Sequence, residues 1–365
     1  MKIWKKLGKE IFIDGLSGMA SGLFATLIIG TIIVQIGGLI PGAIGTYLFM
    51  IGKLASAMTG AGIGIGTAKR LGASPLVQVS AATAGMCGAF ASKMLAGTVL
   101  ISGTLDSGME LSNAVLFVGP GEPLGAFVAA YVAIELGMLV SGKTKLDILL
   151  TPLVSIGSGA VAGILVGPYI SAFMRWLGSL VNVNVEKSPV IAGIIVSVLM
   201  GMILTLPISS AAIGVSLGLS GLAAGAATIG CCCQMVGFAV ASYRENKFGG
   251  LVAQGIGTSM IQIPNIVRRP LIWIPPILSS AILAPVSTVL LKMQNNPVGS
   301  GMGTSGLVGQ IMTWQTMIPY TNQWLLLLEI LMMHFVLPGV ITLGISEGMR
   351  KAGWIRNGDM RLDTQ

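Results

Sequence analysis

Span-length apolar runs separated by short basic segments decide what this chain can fold into before any motif is considered. A helix needs about 20 apolar residues to cross the hydrocarbon core of a bilayer. In lipid every backbone N–H and C=O must be paired inside the structure, so runs of this kind fold as transmembrane helices. Only 9% of the 365 residues are charged, where a soluble domain carries about 25%. The chain therefore has no room for a large soluble domain. Its excess of Lys and Arg sits in the short segments between runs, where it sets topology rather than contacting nucleic acid.

The runs divide the chain into four parts: a basic, Trp-containing amphipathic N-terminus at 1–10, a first transmembrane half at 11–187, a second at 188–346, and a cytoplasmic tail at 347–365. The first half holds Ile11 to Leu39, Pro41 to Thr67, Ser74 to Ser102, Ala114 to Val140 and Leu146 to Phe173. The second holds Pro189 to Leu206, Ile208 to Gly225, Ala226 to Ser242, Trp273 to Leu291, the short Ile311 to Tyr320 and Trp324 to Ile345. Gly249 to Asn265 and the Gly/Ser-rich Asn295 to Gln310 read as re-entrant segments. Lys69, Arg70, Arg268, Arg269, Arg350 and Lys351 then all face the cytoplasm, as do both termini. No small-residue cleavage site follows the first basic segment, so the first span is expected to stay. The fold expected is an all-α polytopic membrane protein of about 10 transmembrane helices plus re-entrant hairpins. Treating Gly249 to Asn265 as a full span gives twelve and puts two arginines outside.

An inverted repeat is also expected. GLFATL at Gly22 matches GMILTL at Gly201, ATAG at Ala82 matches ATIG at Ala227, and TPLVS at Thr151 matches PPILS at Pro275, in the same order. Transporters are often built from such repeats, with the site at their interface.

One stretch stands out chemically. FVGPGEPLG, Phe117 to Gly125, sets Glu122 between two prolines inside an uncharged apolar run, and is expected to break the fourth span. An intramembrane carboxylate is by default a functional-site hypothesis. Lys93, in the third run, can snorkel, pair with an acid, or mark a re-entrant turn. The polar groups expected at membrane depth are Glu122, Glu135, Gln234, Gln254, Gln262, Asn265, Gln310, Glu329 and His334. Of these Glu122, Gln234, Gln254, Gln262, Asn265, Gln310 and His334 form the expected substrate-binding set, because amides and carboxylates hydrogen-bond hydroxyls without demanding a charged ligand. Taken singly, each amide also reads as a helix–helix hydrogen bond. Cys87 and Cys231 to Cys233 read as buried small hydrophobes, since three consecutive helical positions cannot converge on one metal. Neither a metal nor a cofactor is expected, and no residue is expected to act as a catalyst.

PISSAAI at Pro207, LSGLAAGAATIGCCCQMVGF at Leu219, GGLVAQGIGTSM at Gly249 and GSGMGTSGLVGQ at Gly299 together resemble the phosphotransferase-system IIC subunits of bacteria, including proteins named as perfringolysin-regulator-like. The resemblance runs from about Ile11 to Ile345. It implies a multi-pass plasma-membrane protein, a homodimer, that carries a small polar solute, a carbohydrate, by moving one half against the other. Separate IIA and IIB proteins would carry out any phosphorylation. Sugar-transporting relatives of the glucose type carry Gly-Ile-Thr-Glu-Pro with a sugar-contacting Glu, and a His. The nearest pieces here are GPGEP, with Glu122, and GISEG, with Glu347. The reading from another class is a membrane sensor that keeps the transporter fold and signals to a cytoplasmic partner.

Overall fold

The structure is a computed structural model in which residues 10–104, 110–181, 185, 187–208 and 210–362 are described. The chain forms two compact units, Met1–Phe173 and Met174–Gln365. Helix dominates both. Among the described residues, six helices are long and apolar enough to cross a membrane, or seven when one bent pair is counted as a span.

In the first unit, α1 runs without interruption over 10–39 and contains π-helical turns at Glu10–Gly15 and Phe24–Ile28. Helices α2 (Ala43–Ala57) and α3 (Thr59–Arg70) are bent by 53° across Met58. Helix α4 (Pro75–Leu95) opens on a proline, whose missing N–H costs nothing at a helix start. A two-stranded antiparallel hairpin follows, β1 (Leu100–Thr104) against β2 (Glu110–Val115), the one sheet among the described residues. Helices α5 (Pro123–Val140) and α6 (Asp147–Val181) complete the unit, and the unit boundary falls within α6.

Glycines set the packing distance. A Cβ on Gly22 of α1 would collide with the carbonyl of Gly62 on α3, and one on Gly88 of α4 with the carbonyl of Gly125 on α5. Small residues let helices approach this closely where lipid supplies no hydrophobic drive between them. Between α3, α4 and the hairpin lies a cavity of about 630 Å³ whose walls are almost wholly apolar; Met58, Met86, Cys87, Met94 and Phe117 are among the residues lining it.

The second unit is organised around α9 (Gly221–Ala241), most of whose residues are buried. It packs against α7 (Ile191–Thr205), α12 (Ile274–Pro285) and α16 (Leu337–Lys351). Gly230 of α9 lies so close to α7 that a Cβ there would meet the carbonyl of Ser197. Among the described residues between α7 and α9 the one helix is the short α8 (Ser210–Ser216), so Ile208 to Gly225 is not the span expected of it. Gly218 and Gly221 adopt φ of +61° and +59°, left-handed conformations that stop a helix on either side of them.

Gly249 to Asn265 is broken into pieces: α10 (Tyr243–Val252), with Lys247 at φ +51°, a π turn at Ala253–Gly257, a 3₁₀ turn at Ser259–Gln262 and α11 (Ile263–Arg268). Beyond α12, which continues as a π turn at Val286–Leu290, residues 295–307 hold a single helical turn, α13 (Pro297–Ser300), and a 3₁₀ turn at Ser305–Leu307. Helix α14 (Val308–Met317) follows, and α15 (Gln323–Leu331) continues through a π turn at Met332–Val336 into α16.

GPGEP does not break a span as expected. Its glycines 119 and 121 take φ of +76° and +72°, and the fourth run begins as strand β2 and extended chain, with helix only from Pro123. Glu122 is therefore the N-cap residue of α5, in extended conformation. Its N–H donates to the carbonyl of Ala89 at 2.8 Å, which ties the segment to α4. Among the described residues Lys93 pairs with no acid and marks no re-entrant turn: Nζ donates to the carbonyl of Val118 at 2.9 Å and lies 5.4 Å from the Phe90 ring centroid. Asp106 and most of the 1–10 segment lie outside the described residues.

Candidate functional site

Helix α9 presents Cys232 and Gln234 two residues apart, about 200° around the helix, so they face opposite sides. On one side, Oε1 of Gln234 accepts from Nε1 of Trp273 at 2.9 Å and from the hydroxyl of Thr205 at 3.2 Å. Thr205 also shares a hydrogen bond of 2.8 Å with Ser259, which anchors the broken segment to α7. On the other side, Nε2 of Gln310 lies 3.0 Å from Nδ1 of His334 and 3.5 Å from the Cys232 sulfur. An amide nitrogen only donates, so Nδ1 accepts and the histidine is neutral with its proton on Nε2.

This polar core is incompletely satisfied. Among the described residues, Nε2 of Gln234 and Oε1 of Gln310 are buried without a hydrogen-bond partner, as is the hydroxyl of Ser305. Leaving such a group unpaired costs about 1–3 kcal/mol. Ser305 belongs to a strained loop: Gly303 and Gly306 have φ of +52° and +53°, and Leu307, which has a side chain, has φ +60°. A Cβ on Gly303 would press into Cys231 of α9, so only glycine permits the loop to lie on the helix there. His334 and Gln254 both sit in π-helical turns. Turns of that kind and strained loops concentrate at functional sites.

The expected binding set therefore separates. Gln234, Gln310 and His334 belong to the core around α9. Glu122 belongs to the first unit, where it is half-buried, as is Glu135; Glu329, in α15, is half-buried too and has one buried oxygen without a partner. Gln254, Gln262 and Asn265 form a chain of their own. Gln262 donates to Oε1 of Gln254 at 2.8 Å and Asn265 to Oε1 of Gln262 at 2.8 Å. Both also donate to the end of the chain, Gln262 to the carbonyl of Met360 at 3.0 Å and Asn265 to that of Arg361 at 2.9 Å. Asn246 completes the grip, donating to Met360 at 2.8 Å and accepting from the N–H of Leu362 at 2.9 Å. These amides hold backbone.

Thr205, Ser259, Trp273 and Asn246 were not marked by sequence reasoning. Each is a common residue at a helix end or in a polar loop, and only its partner across the fold distinguishes it. The three adjacent cysteines are fully buried, as expected of small hydrophobes.

Membrane-length helices packed glycine on glycine, around a buried core of amides and hydroxyls, define a polytopic helical membrane protein. Over residues 13–362 the sequence matches the family described as Phosphotransferase system, EIIC, and the chain belongs to that family. A comparison with curated proteins gave no match. Membership makes the chain a multi-pass plasma-membrane protein and a component of sugar transport within the phosphotransferase system.

Proposed function

We propose that the protein carries a small polar solute, a sugar, across the membrane by alternating access, and that the core around α9 is where the second unit contacts it. The observation that carries this reading is the pair of unpartnered amide atoms, Nε2 of Gln234 and Oε1 of Gln310, flanking one buried helix. One offers a donor and the other an acceptor, and because they stand on opposite sides of α9 each would pair with a different hydroxyl of a polyol. Opening of the strained 303–307 loop would admit the solute. Glu122, in the first unit, is proposed separately as a substrate-contacting carboxylate.

On the same reading, segments 249–265 and 295–310 enter the membrane without crossing it and come in addition to about ten spans. Both termini face the cytoplasm, supported by Arg350 and Lys351 at the end of α16 and Lys69 and Arg70 at the end of α3. An inverted repeat is supported by one shared packing role: the matched glycines 22 and 201 each press on a glycine carbonyl, of Gly62 and Gly230. The homodimer and the separate IIA and IIB proteins rest on the family alone.

Proteoliposomes loaded with candidate sugars, with and without a phosphorylated IIB protein, test the proposal. Gln310→Ala is expected to lower transport at least about tenfold, and to lower the melting temperature because His334 loses its buried partner, a loss worth about 1–3 kcal/mol; the folded variant is therefore assayed below its own melting temperature. Glu122→Gln is expected to weaken solute binding by about 10- to 100-fold, the value of a charge-assisted hydrogen bond. Near-normal transport by the first variant, or near-normal binding by the second, removes that residue from the site.

A further inference from the structure

Two basic stretches a hundred residues apart in sequence, YRENK at 243–247 and MRKAGWIRNGDMR at 349–361, come together in the second unit around a cavity of about 500 Å³. Its walls are Arg244, Arg350, Gly353, Ile355, Arg356 and Asn357. Three guanidinium groups and one carboxamide supply its polar chemistry, and no carboxylate lines it. The volume lies in the range of small-molecule sites.

The nearby acids are already neutralised. Glu245 accepts from Nη2 of Arg350 at 2.8 Å and from the N–H of Gly358 at 3.3 Å. Glu347 accepts from Nη2 of Arg244 at 2.9 Å. A guanidinium has five N–H donors, so after one carboxylate contact Arg244 keeps donors for a ligand. Arg356 is exposed and makes no ion pair with a described residue. The fold places it there: Ile355 on one side is buried, and the N–H of Arg356 is held by Asp359 at 2.8 Å. The tail thus folds so as to bring a third arginine to two that are already fixed.

We propose that this recess is a binding site for a phosphoryl group, carried on a small organic molecule. Arginine forks match tetrahedral oxyanions bidentately; Arg350 is held by Glu245 and by the carbonyls of Ala241 and Arg356 and adds its charge, while Arg244 and Arg356 supply the free donors. The recess uses none of the residues assigned to the sugar site, so either assignment can fail without the other. A free phosphorylated solute and a phospholipid headgroup share this chemistry, and separate probes distinguish them.

The test uses the full chain in detergent. Thermal stabilisation and equilibrium binding are measured with glucose 6-phosphate, inorganic phosphate, phosphatidylglycerol, sulfate and unphosphorylated glucose at matched ionic strength. Glucose 6-phosphate is expected to bind most tightly, and Arg356→Gln and Arg244→Gln each to weaken it about tenfold, without changing the melting temperature of the ligand-free protein by more than a few degrees. Arg356→Lys should restore part of the loss. Tighter binding of phosphatidylglycerol, with the same sensitivity to both variants, would keep the phosphoryl site and assign it to lipid. Equal binding of sulfate and glucose 6-phosphate, or binding that both variants leave unchanged, would overturn the proposal.

Discussion

Gly230→Ala is expected to prevent accumulation of folded protein, although it adds one methyl group. The added Cβ would run into the Ser197 carbonyl on α7, which is backbone and cannot rotate away. The crossing also carries hydrogen bonds, from the Ser197 hydroxyl to the Ser280 carbonyl at 3.2 Å and from the Ser280 hydroxyl to the Gly230 carbonyl at 3.5 Å. Separating the helices would strain both, and overpacking costs about 1–3 kcal/mol, more where backbone rather than a side chain must give way. Gly157→Ala in α6 is the control, because a Cβ there meets nothing within 4 Å. It should be neutral or stabilise by up to about 1 kcal/mol through helix propensity. Size-exclusion profiles and melting curves in detergent compare the two. A Gly230→Ala protein as stable as the control would show that α7 and α9 do not cross this closely.

Ending the chain at Ala352 should loosen the broken segment that the tail covers. Ile355, Met360 and Leu362 are each at most 5% exposed, and burying a large aliphatic side chain contributes about 1.5–3 kcal/mol. Without the tail, Asn246, Gln262 and Asn265 lose the backbone groups they hold, though water replaces part of that bonding. A local loss of about 3 kcal/mol speeds amide exchange about a hundredfold. Exchange over 243–268 is therefore expected to accelerate by that factor, while residues 75–95 in the first unit keep their protection. Unchanged exchange over 243–268 would mean that the tail rests on the segment without stabilising it.

Much of the helical framework was legible in the sequence because apolar runs of span length have few alternatives. Leu146 to Phe173 lies within α6 but for its first residue, Pro189 to Leu206 covers α7, and Trp324 to Ile345 falls inside the helix formed by α15 and α16. The failures came where hydropathy says nothing about backbone. Ile208 to Gly225 is uncharged and largely apolar, yet two left-handed glycines interrupt it. Ala114 to Phe117 is as apolar as a helix and is strand and extended chain. The site was legible in residue type only. Gln234, Gln262 and Gln310 are chemically identical amides, but one lies beside Trp273, one beside the chain's own carbonyl and one beside a histidine. Their partners lie between 24 and 98 residues away, and nothing local to each glutamine encodes which it will meet. Arg356 was missed for the same reason, since its neighbours across the recess come from residues 244 and 350.

The four cysteines carry a practical consequence. Cys231, Cys232 and Cys233 are fully enclosed, while Cys87 is half-buried at the wall of the apolar cavity in the first unit. Unmutated protein thus offers one accessible thiol, and a membrane-permeant maleimide dye should attach there at one per chain. Such a dye would sit where α3, α4 and the hairpin meet, beside the 53° bend at Met58. Its emission would then report, without any engineered cysteine, whether that corner rearranges when sugar is added.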